Sequence, residues 1–158
     1  MNTKDKLPTI TICCSCNFYK HASEVQEQLE AMGFGVIIPE TVPVMKKNND
    51  WDVSHYKTWF AKEDDYPEKA RLMMAHFKEV ERGDAILVIN DEKHGVKNYI
   101  GSNVLMEMAI AFWLKKPIFI LGGYPENSAS EEEIKGMLPT LLYGKLEDLQ
   151  VAWDKTQR

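Results

Sequence analysis

The chain has 158 residues, a formal net charge of −5 at pH 7 and a hydrophobic fraction of 44%. These values are typical of one globular domain, so we predict a single domain over residues 1–158. The acidic balance and the absence of a Lys/Arg run exclude a general nucleic-acid-binding surface, and no apolar stretch reaches membrane-spanning length. We therefore expect neither a nucleic acid nor a membrane as partner.

The N-terminal residues and the cysteines both indicate a cytoplasmic protein. Residues 1–14 lack the long apolar region of a secretory signal peptide. Cys13, Cys14 and Cys16 are clustered, and no distant cysteine is present for a long-range disulfide. A metal site on these cysteines would need ligands from elsewhere, and the four histidines show no ligand spacing. We predict no metal ligands and no cofactor.

The first part of the chain predicts a strand, a helix and a second strand. Residues 9–14 form a β-branched run after Pro8, which indicates the first strand. The pattern over 22–32 predicts a helix that Gly33 ends. Residues 35–39 then predict the second strand.

Residues 39–66 show no regular pattern beyond a possible helical turn around 56–60. A segment this long without structure is typically a lid, a binding loop or an oligomer contact. Its aromatic residues are Trp51, Tyr56, Trp59, Phe60 and Tyr66. Two interpretations stay open: a flap that stacks on a base or packs on a neighbouring subunit, or a poorly predicted helix with an apolar stripe.

An amphipathic helix is predicted from Pro67 to Arg82, since proline is favoured in the first helical turn. The apolar residues assigned to its buried stripe are Ala70, Met73, Met74, Phe77 and Val80. His76 lies beside this stripe. A histidine at such a boundary is more often structural than catalytic, so we do not include it in the predicted site.

The centre of the chain, 83–121, predicts a strand at 85–90, a polar loop, a helix with Ser102 as N-cap and a strand at 118–121. Such a crossover makes its two strands parallel. A short helix from Ser130, a strand at 140–143 and a closing helix from 145 follow. Five strands alternating with helices predict an α/β three-layer sandwich, Rossmann-like or flavodoxin-like, with a mostly parallel five-stranded sheet in the order 2-1-3-4-5 or a close variant.

The site is expected where the strand order reverses, at the carboxyl ends of strands 1 and 3. Asp84 precedes strand 3 and Asp91 follows it, so they lie at opposite edges of the sheet. Asp91 is therefore a site candidate, whereas Asp84 is interpreted as a turn residue.

Glu107 is the single charged residue of an apolar helical segment over 104–114. Its helical neighbours offer no polar face, so it is either buried with hydrogen-bond partners or lines a pocket. A structural glutamate that binds a neighbouring loop is the alternative. Gly101, before this helix, permits close backbone approach, and free N–H groups at the helix start suit a phosphate or hydroxyl oxygen. The same Gly-Ser-Asn pattern is also common in helix capping.

These residues carry a resemblance to a known family. A strand that ends in a polar residue is followed by Gly-Ser-x-x-x-x-Glu-x-x-x-Ala, and Lys-Pro then precedes the next strand. In this pattern the chain resembles nucleoside 2-deoxyribosyltransferases. Tyr-Ile-Gly-x-Asn before Leu-Met-Glu is more similar still to small bacterial and archaeal proteins allied to them. The sharp motifs are confined to residues 84–121.

The resemblance implies roles for particular residues. Glu107 matches the glutamate that attacks the anomeric carbon of a deoxynucleoside in the transferases. Asp91, or with less support Asn90, would help to protonate the departing base, and Phe18 or Tyr19 would position the nucleophile. The predicted substrate-binding residues are Phe18, Tyr19, Asn90, Tyr99, Gly101, Ser102 and Asn103.

One position departs from the family pattern. The transferases usually carry an aspartate six residues before the glutamate, where this chain has Gly101. Either recognition of the sugar hydroxyls differs or the transfer activity is absent.

The leading hypothesis is an enzyme that cleaves or exchanges the N-glycosidic bond of a nucleoside or nucleotide with Glu107 as nucleophile. The alternatives are a non-catalytic protein that binds or senses nucleotides, and a structural protein whose aromatic segment is an interface. The expected partner is a small-molecule nucleoside or nucleotide. The resemblance also implies a homo-oligomer with sites completed across subunits.

Overall fold

The computed structural model describes residues 7–158. Its strands are β1 (Thr9–Cys14), β2 (Gly35–Ile37), β3 (Ala85–Ile89), β4 (Ile118–Ile120) and β5 (Thr140–Leu141). Its α-helices are α1 (Tyr19–Ala31), α2 (Thr41–Asn48), α3 (Tyr66–Arg82), α4 (Ser102–Trp113), α5 (Glu131–Gly136) and α6 (Leu149–Thr156). Among these described residues, no helix combines the length and the apolar character needed to cross a lipid bilayer.

The five strands form one parallel sheet in the order β2-β1-β3-β4-β5, which confirms the predicted fold class and strand order. The longest pairing joins β1 to β3, from Ile10 opposite Ala85 to Cys14 opposite Ile89. Every residue of β3 is buried. Helices cover both faces of a parallel sheet, which explains why β3 and β4 are continuous apolar runs.

Two apolar cores lie on the two faces of the sheet. Residues of α1 and α6, such as Leu29 and Leu149, pack on one face with Ile12 of β1. On the other face, Val80 of α3 and Met108 of α4 pack with residues of β1, β3 and β4. Alternation along β1 therefore directs Cys13 toward α3 and α4, and Ile12 toward α1.

The prediction that residues 39–66 lack regular structure is wrong for their first part. Residues 41–48 form α2, and shorter 3-10 turns follow at Val53–His55 and Glu63–Asp65, but not at 56–60. α2 has only two turns, and Val42 and Met45 are its buried residues. A helix this short carries too few apolar repeats for a periodicity to be recognised.

The predicted buried stripe of α3 is confirmed at Val80 but wrong at Ala70 and Met74. Ala70 is exposed and Met74 has 55% of its surface exposed, whereas His76, Glu79 and Val80 are buried. The prediction took the apolar residues to mark the inner face of the helix, whereas the observed inner face also carries polar groups. These groups face the site described below rather than solvent.

Element ends differ from the predictions by one to four residues. β3 ends at Ile89, α1 begins at Tyr19, and Gly101 is the N-cap of α4 in place of Ser102. Ser130 precedes α5 as predicted, but its side chain makes no capping hydrogen bond. Such shifts leave the order and type of the elements unchanged.

Asn90 ties the loop after β3 to the loop after β4. Its Oδ1 accepts a hydrogen bond from the N–H of Gly122 at 2.8 Å, and its Nδ2 donates to the carbonyl of Gly123 at 2.8 Å. A Cβ atom at Gly122 would lie 2.7 Å from Asn90 Oδ1, so only glycine permits this approach. Asn90 is 3% exposed, and its role in the structure is to hold these two loops together.

We expect Asn90→Ala to lower the free energy of unfolding by about 2 kcal/mol, because two buried backbone groups lose their partners. Urea unfolding measures this change. The exposed Asn48→Ala serves as control and should stay within about 0.5 kcal/mol of the original protein. Equal stability of the two variants would show that Asn90 does not hold the loops.

Candidate active site

A cavity of about 420 Å³ opens at the carboxyl edge of the sheet, between the end of β1, the helices α3 and α4 and the segment 39–66. Its volume lies in the range of small-molecule sites. Cys14, Ser15 and Cys16 at the end of β1 line one side, and Gly101, Ser102 and Asn103 at the start of α4 line the next. The cavity is therefore at the edge where ligands bind in sheets of this type.

The segment 39–66 forms the opposite wall. Four of its five aromatic residues line the cavity: Tyr56, Trp59, Phe60 and Tyr66. Trp59 is buried, whereas Phe60 has 74% of its surface exposed at the rim. The segment thus lines the cavity with aromatic rings, and its first part is the helix α2 with buried Val42 and Met45, so it has features of both interpretations.

Glu107 lies in the wall that α4 contributes to the cavity. Val104, Met108 and Ala111 of α4 are buried in the core, and Glu107 on the neighbouring face of the helix lines the cavity with only 7% of its surface exposed. Within residues 7–158, its Oε2 has no hydrogen-bond partner. The nearest basic group is Nε2 of His76, at 3.5 Å.

His76 connects Glu107 to a second carboxylate. Its Nδ1 donates to Oε2 of Glu79 at 2.5 Å, and all three side chains are about nine-tenths buried. Burial alone would lower the pKa of His76, but its contacts with Cys13, Glu107 and Glu79 outweigh burial and hold that pKa well above the ordinary value. His76 is therefore an imidazolium flanked by two carboxylates.

Cys13 completes this buried cluster from β1. Its Sγ, Nε2 of His76 and a carboxylate oxygen of Glu107 all lie within 4.8 Å of one another. Burial, together with the negative charge of Glu107, raises the pKa of the Cys13 thiol to about 12. In the absence of another ligand, this thiol is protonated.

Three lysines in the lining lie over aromatic rings. Lys57 lies 4.8 Å from the ring centre of Phe60, Lys69 lies 5.6 Å from that of Trp59, and Lys93 lies 5.0 Å from that of Tyr99. Lys93 also donates to Oγ of Ser15 at 3.0 Å. Partial burial and then the charge of Lys57 lower the pKa of Lys69. The lining of the cavity therefore pairs aromatic rings with positive charge at three places.

The structure brings most of the predicted site residues together around this cavity. Those in the lining are Tyr19, Tyr99, Gly101, Ser102, Asn103 and Glu107. Phe18 instead lies in the core beside α1, and Asn90 holds the loops after β3 and β4. Asp91 lies outside the lining, where its Oδ2 accepts a hydrogen bond from Nδ1 of His21 at 2.7 Å.

Tyr99 fills the space beside the position that departs from the transferase pattern. A Cβ atom at Gly101 would lie only 3.0 Å from the Tyr99 hydroxyl. The phenol thus lies where the side chain of a larger residue at position 101 would begin.

Sequence reasoning missed His76 and Glu79. The true inner face of α3 is a helical repeat of Lys69, Leu72, Met73, His76, Glu79 and Val80. The signal is that the polar residues Lys69, His76 and Glu79 fall at helical spacing on the same face as the apolar residues. Counting only apolar residues hides this face, since half of its members are charged.

Burial and raised pKa values predict the reactivity of the thiols. The pKa of Cys14, like that of Cys13, is raised by burial, whereas Cys16 is partly exposed. We expect one fast-reacting thiol in the folded protein with a disulfide reagent at pH 8, and three after unfolding in guanidinium. Cys16→Ser should abolish the fast phase. A fast phase that survives this substitution would contradict the burial of the other two.

No model of a protein family matches the chain, and no curated protein matches it. Function is therefore inferred from the geometry of the cavity.

Proposed function

We propose that the protein cleaves or exchanges the N-glycosidic bond of a nucleoside or nucleotide, with Glu107 as the nucleophile. The observation that carries this proposal is Oε2 of Glu107, which has no hydrogen-bond partner within residues 7–158 and is buried in the wall of a cavity with the volume of a small-molecule site. A carboxylate that served only to brace the scaffold would have hydrogen-bond partners for both oxygens.

The chemistry follows from a carboxylate in such a place. Glu107 attacks the anomeric carbon of the sugar while the bond from that carbon to the base nitrogen breaks, and the base leaves with the bonding electrons. The sugar passes through an oxocarbenium-like state and becomes an ester of Glu107. Attack by water on this ester gives hydrolysis, and attack by a second base gives exchange.

His76 supports this role by its charge. The imidazolium lies 3.5 Å from Oε2 of Glu107 and is bound on its other side by Glu79. A fixed positive charge beside Glu107 orients its carboxylate oxygen in a dry site. This contact is part of the proposed mechanism because it would hold the oxygen in place before substrate arrives.

The rest of the wall suits an aromatic, electron-rich leaving group. Trp59 and Phe60 offer ring faces for stacking, and Lys57 and Lys69 place positive charge beside them. Negative charge that develops on the departing base is stabilised there. Asp91 is less suited to protonate the base, since its carboxylate is bound to His21 outside the lining.

Tyr99 offers a replacement for the aspartate of the transferases. Its hydroxyl lies beside Gly101 and faces the cavity, where a phenol can both donate to and accept from a sugar hydroxyl. Tyr19 supplies a second phenol in the lining, and burial raises its pKa well above the ordinary value, so it stays protonated.

The test is base release from a panel of ribo- and deoxyribonucleosides and their 5′-monophosphates, followed by chromatography of the free base. Each reaction is run with and without a second base as acceptor. We expect release from at least one member of the panel, and the proposal fails if no member releases base.

The alternative is a protein that binds nucleotides without turning them over, and Gly101 in place of aspartate favours it. Thermal-shift measurements with the same panel distinguish the two functions. Stabilisation by a nucleotide without base release would support binding alone, whereas release of base would exclude it.

A further inference from the structure

We propose that Cys13, His76 and Glu107 form a binding site for a transition-metal ion of the zinc class, with Glu79 as its supporting carboxylate. The cluster brings a sulfur, an imidazole nitrogen and a carboxylate oxygen within 4.8 Å of one another. The thiolate and imidazole ligands fit Zn²⁺ and are unsuited to Mg²⁺ and Ca²⁺, which prefer oxygen ligands only.

The strongest support comes from two polar atoms that the folded chain leaves without partners. Nε2 of His76 and Oε2 of Glu107 are the buried side-chain atoms that lack a hydrogen bond anywhere in the described chain, and both belong to this cluster. They lie 3.5 Å apart, close to the separation of about 3.3 Å between two ligands of a tetrahedral zinc ion. A metal ion between them would satisfy both atoms.

The surroundings match those of known zinc sites in one further respect. A histidine that binds a metal usually donates its other ring N–H to a carboxylate, which fixes the ring orientation. Nδ1 of His76 donates to Glu79 at 2.5 Å and leaves Nε2 directed at Glu107. The histidine is therefore oriented for a ligand at Nε2.

The cavity gives access to this site and a place for a fourth ligand. His76 and Glu107 line the cavity, whereas Cys13 is fully buried behind them in β1. Three protein ligands with the fourth position open to water is an arrangement that zinc adopts in proteins. Binding requires the thiol of Cys13 and Nε2 of His76 each to release a proton to solvent, and the thiolate and the Glu107 carboxylate then offset the metal charge.

The metal site and the proposed function share Glu107, so the two uses exclude each other. A zinc ion bound to its carboxylate occupies the oxygen that would attack the sugar. Only this consequence rests on the proposed function: zinc should inhibit base release, and a chelator should restore it.

The first experiment measures binding without reference to activity. The full-length protein is freed of metal with a chelator and titrated with Zn²⁺ against a chromophoric chelator, and separately with Co²⁺ to record its absorption spectrum. We expect one ion per chain and a sulfur-to-cobalt charge-transfer band. Absence of stoichiometric zinc binding, or a cobalt spectrum without the sulfur band, overturns the proposal.

Variants assign the ligands. Cys13→Ser should weaken zinc binding at least 100-fold and remove the sulfur band, Glu79→Gln should weaken binding about 10- to 100-fold, and Cys16→Ser should change neither. Circular dichroism checks the fold of each variant. If Cys13→Ser does not fold, the sulfur band must persist in Cys16→Ser, and its loss there contradicts the assignment.

Activity then separates the two proposals. If zinc binds as described but no base is released, the metal-site proposal is supported and the proposed function is contradicted. If base release depends on Glu107 but the protein binds no zinc, only the metal-site proposal is contradicted.

Discussion

Glu107→Gln should lower the rate of base release at least about 10³-fold, because an uncharged amide of the same shape cannot capture the anomeric carbon. The substitution keeps the side-chain volume in the wall of the cavity, so substrate binding should change far less than the rate. Comparison of kcat and KM between the two proteins measures this difference.

Glu132→Gln is the matched control for this experiment. Glu132 is exposed on α5, so the same chemical change there should leave base release unaffected. A Glu107→Gln protein that folds normally and keeps the original rate would remove Glu107 from the mechanism.

His76→Gln should reduce kcat about 100-fold and lower the free energy of unfolding by about 3 kcal/mol. The loss of the imidazolium leaves Glu79 and Glu107 buried with like charge and no cation between them, and such uncompensated burial is costly. The reduced kcat follows from the loss of a fixed charge beside the nucleophile. Urea unfolding and steady-state kinetics measure the two effects.

Lys78→Gln is the control for the helix itself, because Lys78 is exposed on α3 between the two buried polar residues. Lys78→Gln should change neither kcat nor the free energy of unfolding by much. If His76→Gln lost stability but kept its kcat, His76 would act only in the scaffold. If it lost neither, the buried ion pair would have no energetic role.

The sequence predicts the fold well because the elements that define it carry strong local signals. β3 is an unbroken apolar run and β1 is a β-branched run buried from Ile10 to Cys14, as expected of a sheet covered on both faces. The chain between β3 and β4 has the length of a crossover helix. α2 escapes prediction since its two turns bury only Val42 and Met45.

The site is predictable only in part. Glu107 is found because a lone charge in an apolar helix is unexpected, and Gly101 to Asn103 because the start of α4 follows a recognisable loop. His76 and Glu79 are hidden since a helix face that lines a cavity does not look like a core face. The contact of His76 with Glu107 depends on how α3 packs against α4, which no local pattern reveals.

Asp91 illustrates a different limit. The topology places it at the correct edge of the sheet, but the same edge also carries groups that pair with each other. Nδ1 of His21, near the start of α1, donates a hydrogen bond to Oδ2 of Asp91 at 2.7 Å. Position in the fold predicts which residues are near the site, and side-chain partners decide which of them line it.

The most direct test of the account is the mass of the protein during turnover. Reactions with a substrate identified by the panel are quenched in acid, and the intact protein and its peptides are weighed by mass spectrometry. The account predicts a covalent sugar on the peptide that contains Glu107, absent from the Glu107→Gln protein. Base release with a sugar on another residue, or with none at any time point, would contradict it.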